Sequence, residues 1–180
     1  DENVNPDVLR QLLETLGNVP TGVNRMALTF SVIDDKDAMR RFRDKAYRLI
    51  ADAVKAGSLP APTMSFLQEA ADAWRERGED TIFRGAPHLL LVSAGPDSAC
   101  PQEDVALALA YFELTAQCAG LGTVWCGLMK WAMESVPALK ASAGIPPDHS
   151  YYAMLFGLPS VHYPRAVQRD GASQIRRIQT

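Results

Sequence analysis

A chain of 180 residues, 47% apolar and 22% charged, is long enough for one folded domain with its own core and is not the composition of a disordered chain. A formal net charge of −3 gives no electrostatic case for nucleic acid or an anionic membrane surface as partner. The longest uncharged run, 114–129, is broken by Gln117, Gly120, Gly122 and Gly127 and falls short of a membrane span, and no segment reads as a signal peptide. Cys100, Cys118 and Cys126 match neither a disulfide framework nor a zinc spacing, which points to a reducing, cytoplasmic setting.

The opening residues 1–7 read as a connecting stretch from a longer polypeptide. Residues 6–17 follow with Val8, Leu9, Leu12, Leu13 and Leu16 at helical spacing. A six-residue turn comes next, Pro20-Thr21-Gly22-Val23-Asn24-Arg25, and it is the most informative stretch of the chain. It joins a rigid Pro and a permissive Gly to an amide and a guanidinium, which are directional donors for a polar, planar or phosphorylated ligand. An ordinary helix-to-strand turn fits the same residues. Residues 27–33 alternate as a strand, 36–56 return to helix, 58–63 form a loop stiffened by two prolines, and 64–77 form a second helix that Gly78 ends.

Residues 89–94 are continuously apolar, as in a buried central strand. Residues 102–119 form a helix with almost no polar face, suited to a core or a subunit interface. Glu113 and Gln117 stand four apart on it, placed to satisfy one another. Gly120 or Gly122 ends this helix and 123–126 can pair as a strand. Gly127 marks a close backbone approach, either to another strand or to a flat ring, and Trp125 and Met129 suit an aromatic surface. Cys126 either lies beside such a ring or packs behind the strand. A turn at 143–149 leads to an apolar strand at 151–156, and the tail carries His162, Arg165, Arg169, Arg176 and Arg177. Arginines on that tail fit either a phosphate clamp or a solvated basic end. No Ser–His–Asp signature, metal spacing or Gly-Lys-Thr phosphate loop is present, and His88, His149 and His162 read as isolated structural residues.

In this order, Pro20-Thr-Gly-Val-Asn-Arg25, Gly85-Ala-Pro-His88, Gly120-Leu-Gly-Thr-Val-Trp-Cys-Gly127 and Phe156-Gly-Leu-Pro followed by Tyr163-Pro-Arg165 resemble the nitroreductase family of FMN flavoproteins. The similarity spans the whole chain and is closest to the branch in which a four-iron–four-sulfur ferredoxin domain precedes the flavin domain. It implies an α+β, three-layer fold with a mixed central sheet, and an intertwined homodimer with FMN in the subunit interface. Pro20, Thr21, Gly22, Asn24 and Arg25 would reach the flavin lodged mainly on the partner. Trp125, Cys126, Gly127 and Leu128 would offer backbone N–H groups near its reactive nitrogen, and Arg165 and Arg169 would face its phosphate. The family's Arg-Arg-Ser-x-Arg motif would lie ahead of Asp1, and the helical region 58–80 would shape the substrate pocket. The implied activity passes electrons from NAD(P)H or a reduced iron–sulfur partner, through FMN, to a small acceptor such as a nitroaromatic or quinone. A flavin-binding or cofactor-free dimeric domain without reductase activity is the alternative.

Overall fold

The computed structural model describes residues 2–162, 164, 167, 169, 171 and 173–178. Its elements run α1 (Pro6–Thr15), β1 (Leu28–Ile33), α2 (Lys36–Lys55), α3 (Ala61–Arg77), β2 (His88–Ala94), α4 (Pro101–Cys118), β3 (Gly122–Trp125), α5 (Gly127–Ser135), α6 (Pro137–Ser142) and β4 (Ser150–Gly157).

Side-chain chemistry at the helix ends accounts for several of these boundaries. Asn5 caps α1 by accepting the Asp7 N–H at 2.8 Å, with Pro6 at the first position, where no N–H is needed. Asp35 caps α2 through the Ala38 N–H at 2.7 Å, and that donor, helped by the Asn3 amide, holds the Asp35 carboxyl below its usual value. α3 starts inside the stretch expected to be loop, because Pro62 falls in a first turn that tolerates it. Gly78, at φ 67, closes that helix in the left-handed conformation. α5 and α6 were not expected. They are short, they abut at Val136-Pro137, and neither has a side-chain cap at its start.

The four strands form one sheet in the order β1-β2-β4-β3, and every described pairing is antiparallel. The expectation of a mixed sheet is corrected on this point. Two helices, α2 and α3, pack on one another and return the chain to the end where β1 finished, as the Ile33–Leu89 register shows. β3 does run in the direction of β2, but β4 inserts between them and pairs antiparallel with both.

Alternation along the central strand builds two cores, and the three-layer α+β expectation holds. Leu89 and Leu91 join Met39, Ile50, Leu67 and Phe83 under α2, α3, α5 and α6. Leu90 and Val92 join Leu9, Leu12, Leu109 and Phe112 under α1 and α4. α4 is not buried all round. Val105, Ala108, Leu109, Phe112 and Ala116 face the sheet, whereas Leu107, Tyr111 and Leu114 are 48%, 38% and 66% exposed. Glu113 does not pair with Gln117 either. Its carboxylate accepts the Trp125 Nε1–H at 2.8 Å and the Thr123 hydroxyl at 3.4 Å.

His88 is structural, as expected. It is fully buried, stacks on Phe156 with ring centroids 5.1 Å apart, and accepts the Val4 N–H at Nε2 over 3.0 Å. Accepting there requires the neutral ring, and burial holds its pKa below the ordinary value. The unfolded chain takes up that proton near its ordinary pKa of about 6.5. Stability from this arrangement is therefore complete above that value and is lost as pH falls toward the lower folded value. The denaturation midpoint should drop more steeply between pH 7 and 5 for the wild type than for His88→Phe, within about that window. Parallel pH profiles would remove His88 as the titrating group.

Candidate functional site

The turn at 20–25 is built against the start of α4. Asp104, 2% exposed, accepts the Gly22 N–H at 2.8 Å on one oxygen and the Ser98 hydroxyl at 2.7 Å on the other. The Thr21 hydroxyl accepts the Met26 N–H at 2.8 Å. Gly22 makes a close approach here, since a Cβ there would sit 3.1 Å from the Cys100 side chain, tighter than most such contacts. The left-handed residues are Val23, Asn24 and Met26, at φ 48, 55 and 51. Pro20, Asn24 and Arg25 are exposed, and the Asn24 and Arg25 side chains have no hydrogen-bond partner among the described residues.

The second cluster lies at the other edge of the sheet. The Cys126 N–H is taken by the Ala153 carbonyl at 2.9 Å, which corrects its expected role as a donor to a ligand. Alternate residues of an antiparallel ladder turn their N–H groups to the same side, so those of Thr123 and Trp125 face off the free edge of β3. The first internal bond of α5 runs from the Lys130 N–H to the Cys126 carbonyl, leaving the N–H groups of Gly127 and Leu128 without helical partners. A Cβ at Gly127 would stand 3.0 Å from the Tyr152 hydroxyl, a tight approach that the tyrosine would have to yield to. Trp125 packs edge-on to Tyr152, at a centroid distance of 5.5 Å, and is oriented by Glu113.

Cys126 packs behind the strand. Its thiol donates to the Ile82 carbonyl at 3.3 Å, and burial pushes its pKa up to about 11. Iodoacetamide at pH 8 should label exposed Cys118 and leave Cys126 intact in the native protein, as read by peptide mass spectrometry. Labelling of both at equal rates would show that the 126 position opens readily.

A groove of about 610 Å³ runs beside β3, within the ~300–1,000 Å³ usual for small-molecule sites. Gly122, Val124, Arg84, Pro87, Pro159 and Glu2 are among the residues that line it. Arg84 belongs to a loop organised by Asp80. One Asp80 oxygen accepts the Tyr47 hydroxyl at 2.8 Å and the Phe83 N–H at 2.9 Å, and the other accepts the Gly85 N–H at 2.9 Å. Arg43 Nε lies 2.7 Å from that second oxygen with its N–H directed off the line between them, so the contact is Coulombic more than directional. Neither Asp80 nor Arg84 was singled out from the sequence. The available signal was local: an Asp three to five residues before Phe83-Arg84-Gly85 is a side-chain-to-backbone turn pattern. Asp104 and Glu113 were missed as orienting carboxylates because their partners are distant in sequence.

The turn and the groove are not brought together within one protomer. The turn leads into β1 and the groove borders β3, the two outer strands of the sheet. Arg169 is exposed, with no described contact to the groove, and Arg165 lies outside the described residues. Among the described residues no cluster of His, Cys, Asp or Glu could hold a metal ion, and no helix is long and apolar enough to cross a membrane.

The sequence matches the nitroreductase family model over residues 1–158. No individually curated protein sequence matches it. Among solved structures, a nitroreductase with bound FMN from Bacteroides fragilis is similar at a TM-score of 0.73 and 18% identity, over 98% of this chain and 90% of that one. A nitroreductase with bound FMN from Desulfitobacterium hafniense gives 0.67 and 20% over 97% and 89%. The FMN-dependent nitroreductase NfnB from Mycobacterium smegmatis, in complex with NADPH, gives 0.62 and 15% over 98% and 90%. Likeness at these identities establishes the fold, and the family match, covering most of the chain, carries the assignment: this chain belongs to the nitroreductase family.

Proposed function

We propose that this chain is an FMN-dependent oxidoreductase acting as a homodimer, passing electrons from NAD(P)H or a reduced iron–sulfur partner to a small acceptor such as a nitroaromatic or quinone. The observation that carries this reading is the run of unsatisfied amides along β3 and the start of α5, together with a groove of suitable size that β3 lines at Gly122, Thr123 and Val124. These donors fit a flat ring with polar edges, and the guanidinium of Arg84 suits an anionic tail. Bound FMN would supply the hydride and electron chemistry. The chain's own part is to orient and shield. The amides of Trp125, Gly127 and Leu128 hold the ring edge, Trp125 covers an apolar flank, and the exposed donors of Asn24 and Arg25 reach across from a second copy. An upstream ferredoxin domain is the iron–sulfur donor of the branch this sequence resembles, and a reducing, cytoplasmic setting suits the three free thiols.

The test is optical. Purified protein should be yellow, release FMN on denaturation, bleach with NADPH under anaerobic conditions and regain colour on adding a nitroaromatic. Retained colour without bleaching supports a flavin-binding protein that is not a reductase. A colourless preparation that takes up no added FMN supports the cofactor-free domain. That second reading draws on one feature, the Glu2 carboxylate lining the groove together with Arg84.

A further inference from the structure

We propose that a second cavity, beside the start of β4, binds a small aromatic carboxylate, with Lys140 at the charged group and an aromatic wall at the ring. Among the described residues this cavity shares no lining residue with the groove beside β3, so binding there does not depend on the flavin reading above.

The cavity exists because β3 is shorter than its neighbour. The last β3 pair is Trp125 with Met154, and the Cys126 N–H reaches the Ala153 carbonyl before the chain turns into α5. Tyr151 and Tyr152 continue β4 past that point, paired with β2 alone. Alternation along the ladder turns the Tyr151 N–H and C=O to the side that β3 has left. A space of about 470 Å³ opens there, ample for one substituted ring.

The two faces of β4 give this space two kinds of wall. On one face Tyr152 meets Trp125 edge-on, at 5.5 Å, and Val105 and Ala106 of α4 add apolar surface. Glu113 holds the Trp125 indole by its N–H, so this wall is set before a ligand arrives. On the other face Tyr151, 7% exposed, packs under α5 and α6. Lys140 Nζ lies 4.7 Å from its ring centroid and Lys130 Nζ lies 5.9 Å from it. Burial, with the Glu134 charge adding to it, pushes the Tyr151 phenol up to about 12, so the ring beneath the two ammonium groups stays neutral.

Those two ammonium groups are not equivalent. Lys130 is ion-paired with Glu134, one turn further along α5. Lys140 donates to the Pro147 carbonyl at 2.7 Å and has no carboxylate partner among the described residues. Lys130 and Glu134 offset one another, and Lys140 leaves the lining one cation in excess. A carbonyl and a tyrosine face fix this ammonium in place with N–H bonds to spare. Together with the Tyr151 N–H it offers donors for both oxygens of a carboxylate. A bare anion would leave Trp125, Tyr152 and Val105 wetted, whereas a ring covers them.

The test is calorimetric titration of the full chain with benzoate, benzamide and acetate. Wild type should bind benzoate at least about tenfold more tightly than benzamide, which lacks the charge, and than acetate, which lacks the ring. Lys140→Gln should abolish the preference over benzamide, and Lys140→Arg should keep part of it. Glu134→Gln should tighten benzoate severalfold, because it removes a negative charge from the wall and frees Lys130. That gain is one a merely structural role would not produce, and it decides the matter should Lys140→Gln fail to fold. Ala106→Trp, by filling the space, should weaken benzoate and benzamide alike. Acetate that binds as tightly as benzoate, an unchanged benzoate preference in Lys140→Gln, weaker benzoate binding in Glu134→Gln, or no benzoate binding by the wild type each overturns the proposal and leaves the flavin reading standing. Wild-type protein that takes up no FMN but binds benzoate as described overturns the flavin reading alone.

Discussion

Asp80→Ala should lower the unfolding free energy by about 3–5 kcal/mol, measured by urea denaturation, the range for breaking one side of a buried ion pair. The Asp80 and Arg43 side chains are 7% and 13% exposed, so water does not readily replace the lost partner. The substitution also strands the Tyr47 hydroxyl and the N–H groups of Phe83 and Gly85, donors that ordinary surface pairs never leave behind. Tyr47 stays a donor throughout the accessible pH range, because burial and the adjacent carboxylate raise its pKa. Replacing Arg43 with Met in the same chain should recover part of the loss, since the uncompensated charge goes with it. A single-variant loss under about 1 kcal/mol would mean that the loop relaxes and hydrates, as exposed pairs do.

The second large effect is expected on assembly. Leu107, Tyr111 and Leu114 stand at i, i+4 and i+7 of α4, one continuous apolar stripe opposite the face that packs on the sheet. Each leucine removed from water in an interface is worth about 1.5–3 kcal/mol. Leu107→Glu with Leu114→Glu alters four side chains in a two-fold dimer, so the dissociation constant should rise by at least about a thousandfold. Sedimentation should show wild-type dimers and variant monomers at micromolar concentration, with FMN retention falling in parallel. A wild-type monomer, or a variant that stays dimeric, would move the subunit contact away from α4.

Wherever period and breaker agree, the elements were legible in the sequence. The four strands fall within a residue or two of their expected bounds because alternation or a continuous apolar run was bracketed by Gly, Pro or Asp. α5 escaped notice because Gly-Leu-Met-Lys-Trp-Ala-Met-Glu-Ser opens on glycine, lacks a capping side chain and spans only nine residues. α4 was legible as apolar but not as to which face meets what. Its residues are apolar on both faces, but a single protomer can cover only one of them, and Asp104 within it is buried to hold a distant turn. In the site, Gly127 and the turn at 20–25 were visible as local chemistry. The Asp80 hub was not, because Arg43 and Tyr47 reach it across more than thirty residues and no periodicity reports such a meeting. Edge-strand alternation decided which amides are free, and that depends on register, which the strand's own residues do not encode.

Placing the 20–25 turn and the β3 groove on opposite margins of one sheet has a genetic consequence. In the proposed dimer each ligand is held by the groove of one polypeptide and the turn of the other. Two separately crippled chains, Asn24→Ala and Arg84→Gln, can therefore rescue each other. Refolded as a mixture, mixed pairs would carry one wholly wild-type site and one doubly damaged site, restoring about a quarter of the sites by random pairing. Lesions confined to the same margin, such as Arg84→Gln with Asp80→Asn, would never complement.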